Sequence, residues 1–149
     1  MAERVFILNG PNLNLLGQRE PEVYGSQSLD DIATACHDRG RELGLEVDFR
    51  QSNAETALVE FIHQAIAEKA RAIIINAAAL THTSVAIHDA LRAFDGIIIE
   101  VHLSNTHRRE KFRHHSFISP VADGIIMGLG AHGYELALEA VSRMLAAAG

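Results

Sequence analysis

The chain has 149 residues, and 13 Lys plus Arg against 19 Asp plus Glu leave it at a formal charge of −6, with one Cys, two Tyr and nine His. That length suits a single domain, residues 1–149, able to bury a core without disulfides or a structural metal. The acidic balance argues against a general nucleic-acid or membrane-surface binder, lone Cys36 cannot form an internal disulfide, and no apolar run reaches the roughly 18 residues of a membrane span. The opening MAERVF lacks a signal-peptide layout, so a cytoplasmic protein is expected.

Short aliphatic runs alternate with amphipathic stretches along the whole chain. Arg4 to Leu8 reads as a buried strand that ends at the turn cluster Asn9-Gly10-Pro11. The loop that follows runs about 18 residues and is expected to lack regular structure; loops of that length often serve as active-site lids. Ser28 with Asp31 reads as an N-cap and capping box, opening a helix from Leu29 to about Leu43 that Gly44 stops. Glu46 to Arg50 alternates like a strand near a sheet edge with one wet face. Ala57, Leu58, Phe61, Ile62, Ala65 and Ile66 keep helical spacing. The runs Ala72–Ile75 and Gly96–Ile99 are β-branched, as in strands buried on both faces, with a helix from Thr83 to Phe94 between them. Gly124 to Met127 makes a fifth strand and Tyr134 to Ala147 a closing helix. Five strands alternating with helices predict an α/β doubly wound sheet.

Ligands of such sheets sit beyond the carboxyl ends of the strands. Here those ends are polar: Asn9, Asn76, and the pair Glu100 and His102. The segment from His102 to His115, HLSNTHRREKFRHH, sets Arg108, Arg109, Lys111 and Arg113 against Glu110, a local +3 in an acidic chain. It reads either as a solvated charge run or as an anion-binding loop, because Arg offers paired planar donors to carboxylates and phosphates. Arg19 and Tyr24 lie on the long first loop, where Tyr24 is either an anchor that holds the loop shut or an acid or base. Tyr134, at the start of the last helix, reads as structural.

Two tempting motifs lead nowhere. Gly128-Leu129-Gly130-Ala131-His132-Gly133 matches G-x-G-x-x-G, but a dinucleotide fingerprint needs a following strand and an acidic residue, and tight turning with close helix–sheet packing explains these glycines. The nine His include no H-E-x-x-H and no compact ligand cluster. A flavin-binding module and a metal-dependent hydrolase are the competing classes; neither a Ser/Thr-rich phosphate loop nor metal-ligand spacing is present. Neither Lys69 nor Lys111 is placed for a Schiff base.

In these segments the chain closely resembles the type II 3-dehydroquinate dehydratases, from Val5 to about the last helix. FILNGPNLNLLGQREPEVYG, LTHTSVAIHDAL, EVHLSN, REKFRHHSFIS and DGIIMGLGAHGY carry the resemblance in order. It implies a flavodoxin-like three-layer sandwich on a five-stranded parallel sheet, and a lyase that needs neither cofactor nor metal. The implied partners are 3-dehydroquinate and further copies of the chain in a homododecamer, a tetramer of trimers, with no nucleic acid and no membrane. The implied base is Tyr24, held near its phenolate form by Arg19, and the implied acid is His102. Asn76, His82, Arg113 and the Leu103-Ser104 backbone would bind substrate, Asp89 would reach in from a neighbouring subunit, and Asn12, Glu100 and Arg109 would orient the rest. Two departures, Ala77-Ala78 in place of Pro or Gly and His88 in place of Arg, bear on the turn after Asn76 and on subunit contacts.

The chemistry is physically reasonable. An ordinary Tyr has a pKa of about 10, and bringing it near 7–8 takes about 3–4 kcal/mol of preference for the phenolate. A single Arg at about 4 Å supplies on the order of 4 kcal/mol at an effective dielectric near 20, before desolvation opposes it. Alternate residues of a strand share a side but lie a full repeat apart, so Glu100 is expected to orient the shell around His102 without touching it.

Overall fold

The computed structural model describes residues 2–18, 22 and 26–148. Among them, five parallel strands build one sheet: β1 (Glu3–Asn9), β2 (Leu45–Gln51), β3 (Ala72–Asn76), β4 (Ile97–His102) and β5 (Gly124–Met127), in the order β2-β1-β3-β4-β5. Four α-helices cover it: α1 (Leu29–Glu42), α2 (Glu55–Ala67), α3 (Val85–Arg92) and α4 (His132–Ala148). This is the doubly wound order whose direction reverses between β1 and β3, the flavodoxin-like arrangement, and it places a crevice at their carboxyl ends.

Burial follows strand position. Val5 to Leu8 in β1 and Ile73 to Ile75 in β3 are all 0% exposed, as central strands covered on both faces require. Strand β2 lies at one edge, as its sequence predicts; Leu45 is buried and Glu46 exposed, but Val47 to Gln51 are all half-buried, so burial does not follow the alternation in the sequence. Successive side chains divide between two cores. Val5, Ile7, Ala72, Ile74, Ile99 and Val101 join α1 and α4 on one face. Phe6, Leu8, Ile73, Ile75 and Ile98 join α2 and α3 on the other.

The local signals act as expected at several ends. Ser28 Oγ accepts the Asp31 N–H, and the Asp31 carboxylate accepts the Ser28 N–H, which fixes the start of α1. Helix α3 starts at Val85 and not at Thr83 because Ser84 caps it, accepting the Ile87 N–H at 2.9 Å, and it ends at Arg92, two residues before the expected Phe94. Within the long first loop, Leu13–Leu15 forms a 3-10 turn, contrary to the expectation of no regular structure. The i, i+3 spacing of such a turn lets Leu13 and Leu16 enter the α1/α4 core together. The segment after β4 likewise contains 3-10 turns, at Thr106–Arg108, Lys111–Arg113 and Ser119–Val121.

Gly128 and Gly130 adopt φ of 87° and 63°, and an added Cβ at Gly133 would lie 3.4 Å from Ile126 Cγ2. Turning therefore accounts for Gly128 and Gly130, while a Cβ at Gly133 would make only an ordinary contact. No helix among the described residues is long and apolar enough to cross a membrane.

Candidate active site

At the carboxyl rim, a cavity of about 180 Å³ opens between the ends of β1, β3 and β4. Asn12, Asn76, His82, His102, Leu103, Ser104, Arg109 and Arg113 all line it, so eight of the residues expected at the site converge. Glu100 lies behind His102 and outside the lining. Asp89 is exposed on α3 and does not line this cavity. Arg19 and Tyr24 lie outside the described residues.

The backbone at the floor is drawn tight. Gly10 N–H donates to the Asn76 carbonyl at 2.8 Å, and a Cβ added at Gly10 would sit 2.3 Å from the Ala77 carbonyl oxygen. Only glycine lets the two strand ends approach so closely. Asn12 has a left-handed φ of 71°, and its N–H donates to Asn53 Oδ1 at 2.9 Å.

Asn76 is held by a buried polar chain. Its Nδ2 donates to the Tyr134 hydroxyl at 3.0 Å, and its Oδ1 accepts the Ala78 N–H at 3.2 Å. The Tyr134 hydroxyl in turn donates to Asn9 Oδ1 at 2.6 Å, while Asn9 Nδ2 donates to the Arg50 carbonyl at 3.0 Å. Tyr134 is fully buried, and burial pushes its hydroxyl pKa well up, so it remains a neutral donor. It is scaffold, as its position in the sequence suggests. Asn9 was visible as a polar strand end but not as a support for Asn76.

His102 and Glu100 do touch, contrary to the strand-repeat expectation: Nε2 lies 2.5 Å from Oε2. The Cα atoms two residues apart are separated by about 7 Å, but long side chains on one face lean along the strand and close that gap. Asp48 and Arg50 in β2 do the same, with Nε to Oδ1 at 2.8 Å. Glu100 is 1% exposed. Burial alone would raise its pKa, but hydrogen bonds from His102, Ser119 and Ser116 outweigh it and hold the carboxyl below the ordinary range. The carboxylate therefore orients Nε2–H of His102, and its Nδ1 is the ring nitrogen that Glu100 does not engage.

His82 Nδ1 lies 2.8 Å from the His115 carbonyl oxygen, which can only accept, so Nδ1 carries the hydrogen and Nε2 is an acceptor. Burial is the main reason that its pKa falls below the ordinary value, with His102 and Arg113 adding to it against the His115 bond. Arg113 Nε donates to Glu110 Oε1 at 3.1 Å, and Arg109 Nη1 lies 3.4 Å from Ser104 Oγ. Two guanidinium groups at the mouth of a cavity suit a carboxylate ligand. The basic segment is thus an organised wall as well as a charge run. Among the described residues, no three His, Cys, Asp or Glu side chains group as metal ligands.

A parallel doubly wound sheet with a carboxylate-backed histidine, an imidazole acceptor and two arginines at its carboxyl rim defines a flavodoxin-like α/β protein with a site suited to an anionic ligand. Comparison with known proteins narrows this class. The dehydroquinase class II family model matches residues 3–142. A 3-dehydroquinate dehydratase of Rhizobium johnstonii is 54% identical over 146 residues, covering 98% of this chain and all of the relative. One from Idiomarina loihiensis is 59% identical over 142 residues, covering 94% and 93% of the two chains. The crystal structure of the type II dehydroquinase from Propionibacterium acnes superposes with a TM-score of 0.92 at 46% identity, covering 96% of this chain and 98% of that one. The chain belongs to the class II dehydroquinase family.

Proposed function

We propose that this chain is a hydro-lyase that removes water from 3-dehydroquinate to give 3-dehydroshikimate, by trans elimination through an enolate. The observation that carries the reading is His102, backed by ionised Glu100, at a cavity that also presents Arg109, Arg113 and the acceptor nitrogen of His82.

The C2 proton is acidic because the adjacent ketone takes up the electron pair, so the reaction needs a base, donors at the enolate oxygen and an acid for the leaving hydroxyl. Tyr24 is the base, and Arg19 favours its phenolate. Asn76, with water, holds the enolate; its second Nδ2 hydrogen is not used by Tyr134. Re-forming the ketone expels the C1 hydroxyl, which takes a proton from His102 and leaves as water. The new double bond joins C1 and C2, and Tyr24 and His102 then exchange their protons with solvent. The ketone is the electron sink, so the reading calls for no cofactor.

Arg113 and the Leu103-Ser104 backbone bind the substrate carboxylate, and the His82 acceptor takes a substrate hydroxyl. Arg109, Asn12 and Glu100 orient this set. Exposed Asp89 on α3 serves the site of a neighbouring subunit, in a homododecamer built as a tetramer of trimers. The enzyme works in the cytoplasm, in aromatic biosynthesis or in quinate breakdown. Purified, chelator-treated protein mixed with 3-dehydroquinate should produce the ultraviolet absorbance of the conjugated enone; no rise in absorbance overturns the reading. Light scattering at assay concentration should give a twelve-chain mass, and a monomer would rule out the shared site.

A further inference from the structure

Glu100 receives donors on both oxygens. His102 Nε2 and Ser116 Oγ lie 2.5 and 2.9 Å from Oε2, and Ser119 Oγ donates to Oε1. Ser116 Oγ also accepts two backbone N–H groups, from Ile118 and Ser119, each at 3.0 Å. Its lone pairs are thereby engaged, and its single hydrogen is left to point at the carboxylate. The hydroxyls are themselves fixed in place. Phe117 N–H donates to the Thr81 carbonyl at 2.9 Å, His82 Nδ1 holds the His115 carbonyl at 2.8 Å, and His88 Nδ1 holds the Phe117 carbonyl at 2.6 Å.

A proton shared by Glu100 and His102 has two resting places. On the imidazole it makes a cation that can protonate a leaving hydroxyl. On Oε2 it makes a neutral pair, and the neutral imidazole is a very weak acid. We propose that Ser116 and Ser119 are positioning residues that keep this proton on His102. Each hydroxyl donates to the carboxylate and so favours the ionised form over the acid. Among the described residues, His82, Arg109 and Arg113 are the other titratable or charged groups that line the cavity, and both guanidinium groups are unfavourable neighbours for a further positive charge. The serine pair acts against them. It also does so without adding a charge of its own to a cavity that must accept an anion.

The inference rests on the dehydration reading for its kinetic consequence alone; the placement of the proton is a property of the substrate-free protein. Ser119→Ala is the primary variant, because it removes one donor and leaves the backbone bonds to Ser116 Oγ in place. Ser116→Ala and Ser119→Cys extend the series, and Ser119→Thr restores a hydroxyl. In protein labelled with nitrogen-15 at histidine, the His102 Nε2 signal at neutral pH should move from the position of a protonated ring nitrogen toward that of an unprotonated one in either alanine variant. An infrared carboxylic-acid band, assigned by its loss in Glu100→Gln, should appear in the same variants. The cysteine variant should lie between, and threonine should return to the parent value. In turnover, kcat at neutral pH should fall about tenfold with the basic limb shifted down and KM nearly constant. An unmoved His102 Nε2 signal in Ser119→Ala overturns the proposal whether or not the protein is active. Absence of turnover in the parent protein overturns the dehydration reading and leaves the nitrogen-15 result to decide this one.

Discussion

Replacing Tyr134 by Phe isolates one hydroxyl that links the scaffold to the cavity. The ring is fully buried and would remain, so no cavity opens and no apolar contact is lost. Two buried partners lose their bonds: Asn9 Oδ1, which accepts at 2.6 Å, and Asn76 Nδ2, which donates at 3.0 Å. Asn9 is 0% and Asn76 3% exposed, so water has little access to either. Each unsatisfied buried group costs about 1–3 kcal/mol, and the bond from Ala78 N–H to Asn76 Oδ1 persists without serving Nδ2, so with two groups orphaned a loss of about 3 kcal/mol is expected. For a domain of this size that corresponds to roughly 6–12 °C in Tm. Urea unfolding followed by far-ultraviolet circular dichroism, at one fixed protein concentration, should show a lower midpoint with an unchanged slope. Asn76 would also turn more freely, and kcat should fall about tenfold because positioning is lost. A destabilisation below about 0.5 kcal/mol would refute the reasoning, since it would mean that the hydroxyl was not satisfying two dry partners.

Glu100→Gln tests pH linkage. The folded carboxyl lies below its ordinary pKa, so its contribution is complete above about pH 5 and is lost as pH falls through the depressed folded value. Unfolding free energy should therefore fall more steeply between about pH 5 and 3 in the parent than in the variant, and parallel curves would contradict the assignment. Gly10→Ala forces a Cβ to within 2.3 Å of the Ala77 carbonyl oxygen, which is backbone and cannot swing aside. A loss of about 1–3 kcal/mol in thermal or urea unfolding is expected, and an unchanged Tm would show that the strand ends are not held together as described. Tyr24→Phe should lower kcat by about 10²–10⁴ and leave substrate affinity, measured by calorimetry, within a few-fold; near-normal turnover would remove Tyr24 as the base.

The strands were the most legible part of the fold. Runs such as Ile73-Ile74-Ile75 are short and β-branched, which marks them as central parallel strands, and β2 declared its edge position by the alternation of its sequence. Short 3-10 turns were not legible, because three residues carry too little periodicity; Leu13 and Leu16 disclose theirs only once the core is present. At the site, polar strand ends located the cavity, since a polar residue terminating a buried run has no packing reason to be there. The Glu100–His102 contact was misjudged because the strand repeat fixes Cα spacing and says nothing of how far two long side chains lean. Ser116 and Ser119 were missed entirely. Two serines in an irregular segment, 16 and 19 residues beyond the carboxylate they bind, leave no pattern that spacing rules could detect.

The alternation that divides the sheet into two cores also divides the cavity's supports. Asn9 and Asn76 continue the face of Ile7 and Ile74, where Tyr134 and α4 pack, whereas Glu100 and His102 continue the face of Ile98. The two halves of the chemistry thus have separate foundations. Substitutions that loosen α4 should disturb the Asn76 amide and spare His102, and substitutions beneath α3 should do the reverse. Such a chain can drift in sequence on one side of its sheet while the other side keeps its half of the reaction in register.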